Sequence, residues 1–252
     1  MTQHLTILTG ASRGMGLAMA EQLLQAGHHL VCIARRSSEP LAARAAAAGV
    51  RCEQWTLDLA QPAPAAARLE DWLARQRPDA YAGVTLINNA GWIPSIAPLP
   101  EIAAQELAAA LRIDLEAPML LSGAFLRATA DWTAARRVLN ISSGLGRRPM
   151  ASQTAYCAAK AGLDHFTRCL ALEEAARPNG ARVCSLAPGV IDTDMQAQLR
   201  SADPASFPDI GAFAGMKASG ALADPAEAAR RVLAFLARPD FGRQPVADVR
   251  DA

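Results

Sequence analysis

The chain has 252 residues, 51% of them apolar and 19% charged, and 25 Lys and Arg against 24 Asp and Glu give a net charge of +1. Both signs are interspersed, which argues against a nucleic-acid or anionic-membrane partner. A chain this long buries enough surface to fold without disulfide or metal staples. No window approaches the roughly 18 uninterrupted apolar residues of a spanning helix. The start, MTQHLTILTG, has no basic region or cleavage site, so no signal peptide is expected. The five cysteines (Cys32, Cys52, Cys157, Cys169, Cys184) are never spaced C-x-x-C and read as buried reduced thiols of a cytoplasmic protein.

Short apolar or β-branched runs alternate with Ala-rich stretches along the whole chain. Strands are expected at Leu5–Leu8, Leu30–Ala34, Cys52–Thr56, Val84–Asn88, Val138–Ile141, Val183–Leu186 and Pro245–Val249. Helices are expected between them at Gly16–Ala26, Leu41–Ala48, Ala65–Arg77, Ala103–Ala130 (broken within), Gln153–Ala176 and Ala226–Ala237. This alternation predicts one α/β domain over residues 1–252, a doubly wound parallel sheet with helices on both faces. From Asp194 to Ala223 the rhythm fails: Pro204, Pro208, Gly211, Gly215 and Gly220 interrupt a mixed segment that carries Phe207, Phe213 and Met216. A long irregular stretch of this kind reads as a substrate lid.

Three local patterns carry chemistry. Thr9-Gly10-Ala11-Ser12-Arg13-Gly14-Met15-Gly16 joins the first strand to the first helix. Glycines there let the backbone approach a pyrophosphate, and the helix N-terminus offers free N–H donors. After the second strand the chain reads Ala34-Arg35-Arg36-Ser37-Ser38, with no acid before Glu39. Guanidinium groups at Arg35 and Arg13 suit a ribose 2′-phosphate, where an acid would suit a bare diol. Tyr156 and Lys160 are four apart, so they share one helix face, and an ammonium beside a phenol favours the phenolate. Metal and acyl-transfer chemistry find no support. His4, His28, His29 and His165 form no ligand cluster, and Ser143 lacks a Gly-x-Ser-x-Gly elbow.

With Asn88-Asn89-Ala90-Gly91, Ser143, Tyr156-Cys157-Ala158-Ala159-Lys160 and Pro188-Gly189-Val190-Ile191-Asp192-Thr193 in order after that glycine turn, the sequence resembles the short-chain dehydrogenase/reductase family over essentially its whole length. The resemblance implies a seven-stranded Rossmann-type sheet, a nicotinamide dinucleotide cofactor and a homodimer or homotetramer. It implies that Gly10, Ser12, Arg13, Gly14, Met15, Gly16 and Arg35 hold the phosphates. Asp58 and Leu59 would then meet the adenine, Asn89, Ala90 and Gly91 the ribose side, and Pro188, Gly189, Ile191 and Thr193 the nicotinamide end. Tyr156 would be the proton donor, Lys160 its tuning partner on the nicotinamide ribose, and Ser143 the group that polarises the substrate carbonyl. Where the family carries an Asn on the helix after the fourth strand, this chain has Asp114. Trp92, Ile93, Leu145, Met150, Met195, Phe207, Phe213 and Met216 would form an apolar substrate pocket whose one dedicated charge is Lys217. Pro188–Arg200 and Val246–Asp251 are similar to the sepiapterin reductase and benzil reductase branch. The expected function is NADPH-dependent reduction of a hydrophobic or aromatic ketone; a ketoacyl thioester reductase and a dinucleotide-binding regulatory protein stand as alternatives.

Overall fold

A computed structural model describes residues 3–251. The seven strands are β1 (Gln3–Thr9), β2 (His28–Ala34), β3 (Arg51–Thr56), β4 (Tyr81–Asn88), β5 (Ala135–Ile141), β6 (Arg182–Ala187) and β7 (Val246–Asp248). They form one sheet in the order β3-β2-β1-β4-β5-β6-β7, and every neighbouring pair is parallel. Burial on both faces explains why the strands read as nearly continuous apolar runs rather than as alternating ones. Strand order reverses between β1 and β4, and such a switch point opens a crevice at the carboxyl ends of the strands.

Helices α1 (Gly14–Gln22) and α2 (Glu39–Ala47) cover one face with a later helix over Pro225–Ala237, and α3 (Pro62–Ala74) covers the other. Sequence places the helix starts: Ser38 Oγ accepts the Leu41 N–H at 3.3 Å ahead of α2, which carries Pro40 in its first turn. The stretch expected to be broken is α4 (Ala104–Leu111), a π-helical turn (Arg112–Glu116) and α5 (Ala117–Ala128). Pro118 has no N–H to give the Asp114 carbonyl four residues back, and the Ala117 N–H bonds Arg112 O instead, five residues away. The helix α6 (Thr154–Ala175) runs unbroken for 22 residues.

Between Asp194 and Ala223 the structure corrects the sequence reading. The segment is not irregular but holds α7 (Asp194–Arg200) and α8 (Ile210–Ala218), followed by α9 (Pro225–Ala237). Local propensity hides both helices. Pro204 and Pro208 fall between them, and α8 tolerates Gly211 and Gly215 because it is anchored by Phe213, which packs on Phe207 at 5.5 Å. The cysteine reading is also corrected. All five are free thiols, but only Cys32 and Cys184 are buried, and Cys169 is exposed. No helix among the described residues is long and apolar enough to cross a membrane.

Candidate active site

A cleft of about 1260 Å³ runs over the carboxyl ends of the strands. One end of it is built by the glycine turn. Gly10 (φ +70°) and Gly14 (φ +54°) adopt left-handed backbone that other residues enter at a cost. A Cβ at Gly16 would lie 2.1 Å from the Gly10 carbonyl oxygen, so the turn closes only with glycine there. Thr9 Oγ1 accepts the N–H groups of both Asn89 and Ala90 at 2.9 Å, which ties the turn after β1 to the turn after β4. All the residues expected at the dinucleotide line this cleft, from Gly10, Ser12, Arg13, Gly14, Met15 and Gly16 through Arg35, Asp58 and Leu59 to Asn89, Ala90, Gly91, Pro188, Gly189, Ile191 and Thr193.

Two of them have partners that the sequence did not disclose. Arg13, expected to be free for a phosphate, lies 2.9 Å from Asp194 at the start of α7. Both groups are largely exposed, so the pair is weak. Asp58 spends Oδ1 on the Ala60 N–H at 2.9 Å, leaving Oδ2 for another donor. Arg35 stands exposed at the end of β2; Arg36, beside it, does not reach the cleft.

The other end gathers Ser143, Tyr156 and Lys160 on its wall. Helix α6 carries Tyr156 and Lys160 one turn apart, with the Lys160 Nζ 5.5 Å from the Tyr156 ring centre. Lys160 Nζ donates to the Ile141 carbonyl at 3.0 Å and lies 3.0 Å from Asp114 Oδ1. Burial pushes the Tyr156 phenol above its ordinary range; the Lys160 ammonium and the Ser143 hydroxyl work against that, and Asp114 works with it. Ser143 also accepts the Leu145 N–H at 3.1 Å, which fixes the turn that presents it.

The substrate wall agrees in part. Trp92, Ile93, Leu145, Met195, Phe213 and Met216 line the cleft, whereas Met150 and Phe207 do not. Phe207 is fully buried and Met150 packs against the same apolar cluster, so both support the wall from behind. Lys217 is not the one charge there. Arg147, Arg148, Arg200 and Asp192 also line the cleft. Asp192 sits 3.4 Å from Arg200 and pairs with Lys217, so one carboxylate offsets part of the lid's positive charge. Sequence reasoning also missed Asp164, buried one turn beyond Lys160, which takes Arg147 at 3.1 Å and the Ser185 hydroxyl at 2.6 Å. Its spacing, continuing Tyr156 and Lys160 by four, was a usable signal.

A family model for the short chain dehydrogenases matches residues 4–204, and the chain belongs to that family of oxidoreductases. Among its relatives is the benzil reductase ((S)-benzoin forming) of Bacillus cereus, 33% identical over 235 residues, which are 93% of this chain and 94% of that one. The 3-oxoacyl-[acyl-carrier-protein] reductase of Pseudomonas aeruginosa is 38% identical over 202 residues, 78% of this chain and 77% of that one. A short-chain dehydrogenase from Sphingobium yanoikuyae, solved in complex with NADPH, superposes with a TM-score of 0.76 at 25% identity and covers 97% of this chain and 86% of its own.

Proposed function

We propose that the chain is an NADPH-dependent carbonyl reductase acting on a hydrophobic or aromatic ketone. The observation that carries the reading is the convergence of Ser143, Tyr156 and Lys160 on the wall of a cleft whose other end is the glycine turn. The residues fit a dinucleotide: left-handed glycines leave the backbone bare, and Arg13 and Arg35 stand exposed at that end. When bound, NADPH supplies the hydride. Gly10–Gly16 hold the pyrophosphate, Arg13 and Arg35 the 2′-phosphate, and Lys160 the nicotinamide ribose hydroxyls. Ser143 donates a hydrogen bond to the substrate carbonyl oxygen, and the Tyr156 phenol gives that oxygen its proton.

Substrate class follows from the wall. Ile93, Tyr156, Leu199, Phe207 and Phe213 form one buried apolar cluster, and α7–α8 complete it as a lid. The lid is held down by Gln198, which donates to the Pro94 carbonyl at 3.2 Å, and by Ser152, which donates to the Ser206 carbonyl. A charged acyl thioester is the second reading, favoured by Arg148 in the cleft and by the likeness to the bacterial 3-oxoacyl-[acyl-carrier-protein] reductase. The pairing of Arg200 and Lys217 with Asp192 weighs against it.

The test follows loss of the reduced nicotinamide absorbance with aromatic diketones, hydroxyketones and 3-ketoacyl thioesters. Aromatic ketones should turn over best, with NADPH bound at least about tenfold tighter than NADH, because two charge-assisted bonds are worth about 1.5–3 kcal/mol apiece. Preference for thioesters would select the second reading, and no turnover with any of them would leave a dinucleotide-binding protein. Equal affinity for the two cofactors would remove the assignment of Arg13 and Arg35.

A further inference from the structure

Asp114 has no exposed surface, and its carboxylate is divided between two parts of the site. Oδ1 faces the Lys160 ammonium at 3.0 Å, and Oδ2 accepts the Trp92 N–H at 3.1 Å. The π-helical turn aims it there, and Gly91 leaves the room, since a Cβ at that position would come within 3.0 Å of Asp114 Oδ1 and 3.7 Å of Lys160 Nζ. An Asn in this place keeps an acceptor for Trp92 but brings no charge to Lys160.

We propose that the Asp114 carboxylate neutralises Lys160 and thereby keeps Tyr156 a phenol through neutral pH, biasing the site toward protonating a carbonyl and away from deprotonating an alcohol. Asp114 touches neither the cleft nor a substrate, so it is a positioning residue that acts through Lys160. The inference rests on the proposed role of Tyr156, but its first measurement does not need a substrate.

The charged groups around the pair support it. Burial works to lower Lys160, yet Asp114, Tyr156 and Asp164 together hold it above the usual ammonium range. Asp164 is committed to Arg147 and Ser185, whereas Asp114 has Lys160 as its counter-charge. Burial lifts the Asp114 carboxyl above its ordinary range, and Lys160 and the Trp92 N–H oppose that shift by favouring the ionised form. At Tyr156, Lys160 and Ser143 favour the phenolate, while burial, Asp114 and Cys157 oppose it. Deleting the Asp114 charge leaves the ammonium unopposed one helical turn from the phenol.

The chain holds two tyrosines, Tyr81 and Tyr156, so subtracting the Tyr156→Phe titration from the wild-type one isolates the Tyr156 phenolate absorbance. Asp114→Asn should move that step to lower pH by about one unit. The pH at which kcat/KM for alcohol oxidation rises should move the same way. A merely structural Asp114 would change the melting temperature and leave both midpoints in place. Asp114→Ser and Asp114→Ala remove the same charge, and the same displacement is expected of whichever variant folds. Superimposable Tyr156 steps in any folded variant overturn the proposal. A displaced step in a protein that reduces no carbonyl overturns the function instead and leaves the electrostatics standing.

Discussion

The two tyrosines sit at opposite ends of the sheet in similar company. At the carboxyl end, Tyr156 neighbours a buried lysine and a buried aspartate. At the amino end, Tyr81 Oη lies 2.8 Å from Nδ1 of His29, whose Nε2 lies 3.3 Å from Glu53 Oε1. Burial raises both phenols. The lower cluster is closed in by aromatic rings: Trp132 stacks on Tyr81 at 5.7 Å, Trp72 meets His29 edge-on at 5.4 Å, and Trp55 packs on Trp72 at 5.5 Å. The upper cluster opens onto the cleft. A carboxylate, a base and a phenol in contact are therefore not enough to define a reaction site. Access for a reacting atom, and an ammonium in place of an imidazole, distinguish the end proposed for chemistry from the end that serves stability.

Removing one hydroxyl from each end tests this contrast most severely. Tyr156→Phe keeps the ring packed and deletes the proposed proton donor, so turnover should fall by about 10²–10⁴ with the fold retained. Steady-state kinetics beside a thermal melt measures both. Activity within a few-fold of wild type would mean that the phenol at the open end is no more catalytic than the sealed one.

How much of this contrast the sequence displays follows from the range of the interactions. All seven strands are visible because a doubly covered parallel sheet needs short apolar runs. The upper site is visible because its parts lie in local patterns: Gly10, Gly14 and Gly16 in one turn, and Tyr156 and Lys160 one helical turn apart. The interruption near Asp114 is visible through Pro118, but not the π-helical geometry that swings the carboxylate onto Lys160. Arg13 and Asp194 meet across 181 positions, and His29 and Tyr81 across 52, so no local periodicity announces either pair. The helices α7 and α8 stay hidden for a related reason, since Leu199, Phe207 and Phe213 hold them through tertiary packing rather than propensity.

Tyr81→Phe is the matching change at the closed end, and its effect should be smaller and of another kind. The phenol is the partner of a fully buried imidazole nitrogen, so its loss leaves His29 Nδ1 unsatisfied at a cost of about 1–3 kcal/mol. Urea unfolding should show that loss, while kcat/KM for the carbonyl substrate stays at the wild-type value. A catalytic defect comparable to that of Tyr156→Phe would show that the two ends are coupled and that the sealed cluster is more than structural.

The smallest expected effect is the pH response of the closed cluster. Burial, reinforced by Arg51, lowers the affinity of His29 for a proton, and the Glu53 contact offsets this only in part. Burial and His4 lower His28 in the same direction. A neutral ring protonated on Nε2 fits the geometry: Nε2–H donates a hydrogen bond to Glu53 Oε1, and Nδ1 accepts one from the Tyr81 hydroxyl. The unfolded chain then binds more protons than the folded one as pH falls through the ordinary histidine value near 6.5, so stability is full above that pH and is lost below it. One such group changes stability by at most about 1.4 kcal/mol per pH unit. Carboxylates held low by arginine, such as Glu227 at about 2, respond only in stronger acid, and Asp114, raised by burial, responds in the opposite sense, so the difference between wild type and His29→Gln is what isolates His29. In urea titrations between about pH 7 and 5 the wild type should lose more stability than His29→Gln. Parallel curves for the two proteins would mean that His29 takes up protons alike in the folded and unfolded chain, with Glu53 balancing burial. A wild type that gains stability relative to His29→Gln as pH falls would mean that Glu53 outweighs burial and that the closed cluster holds a charged pair like the one beside Tyr156.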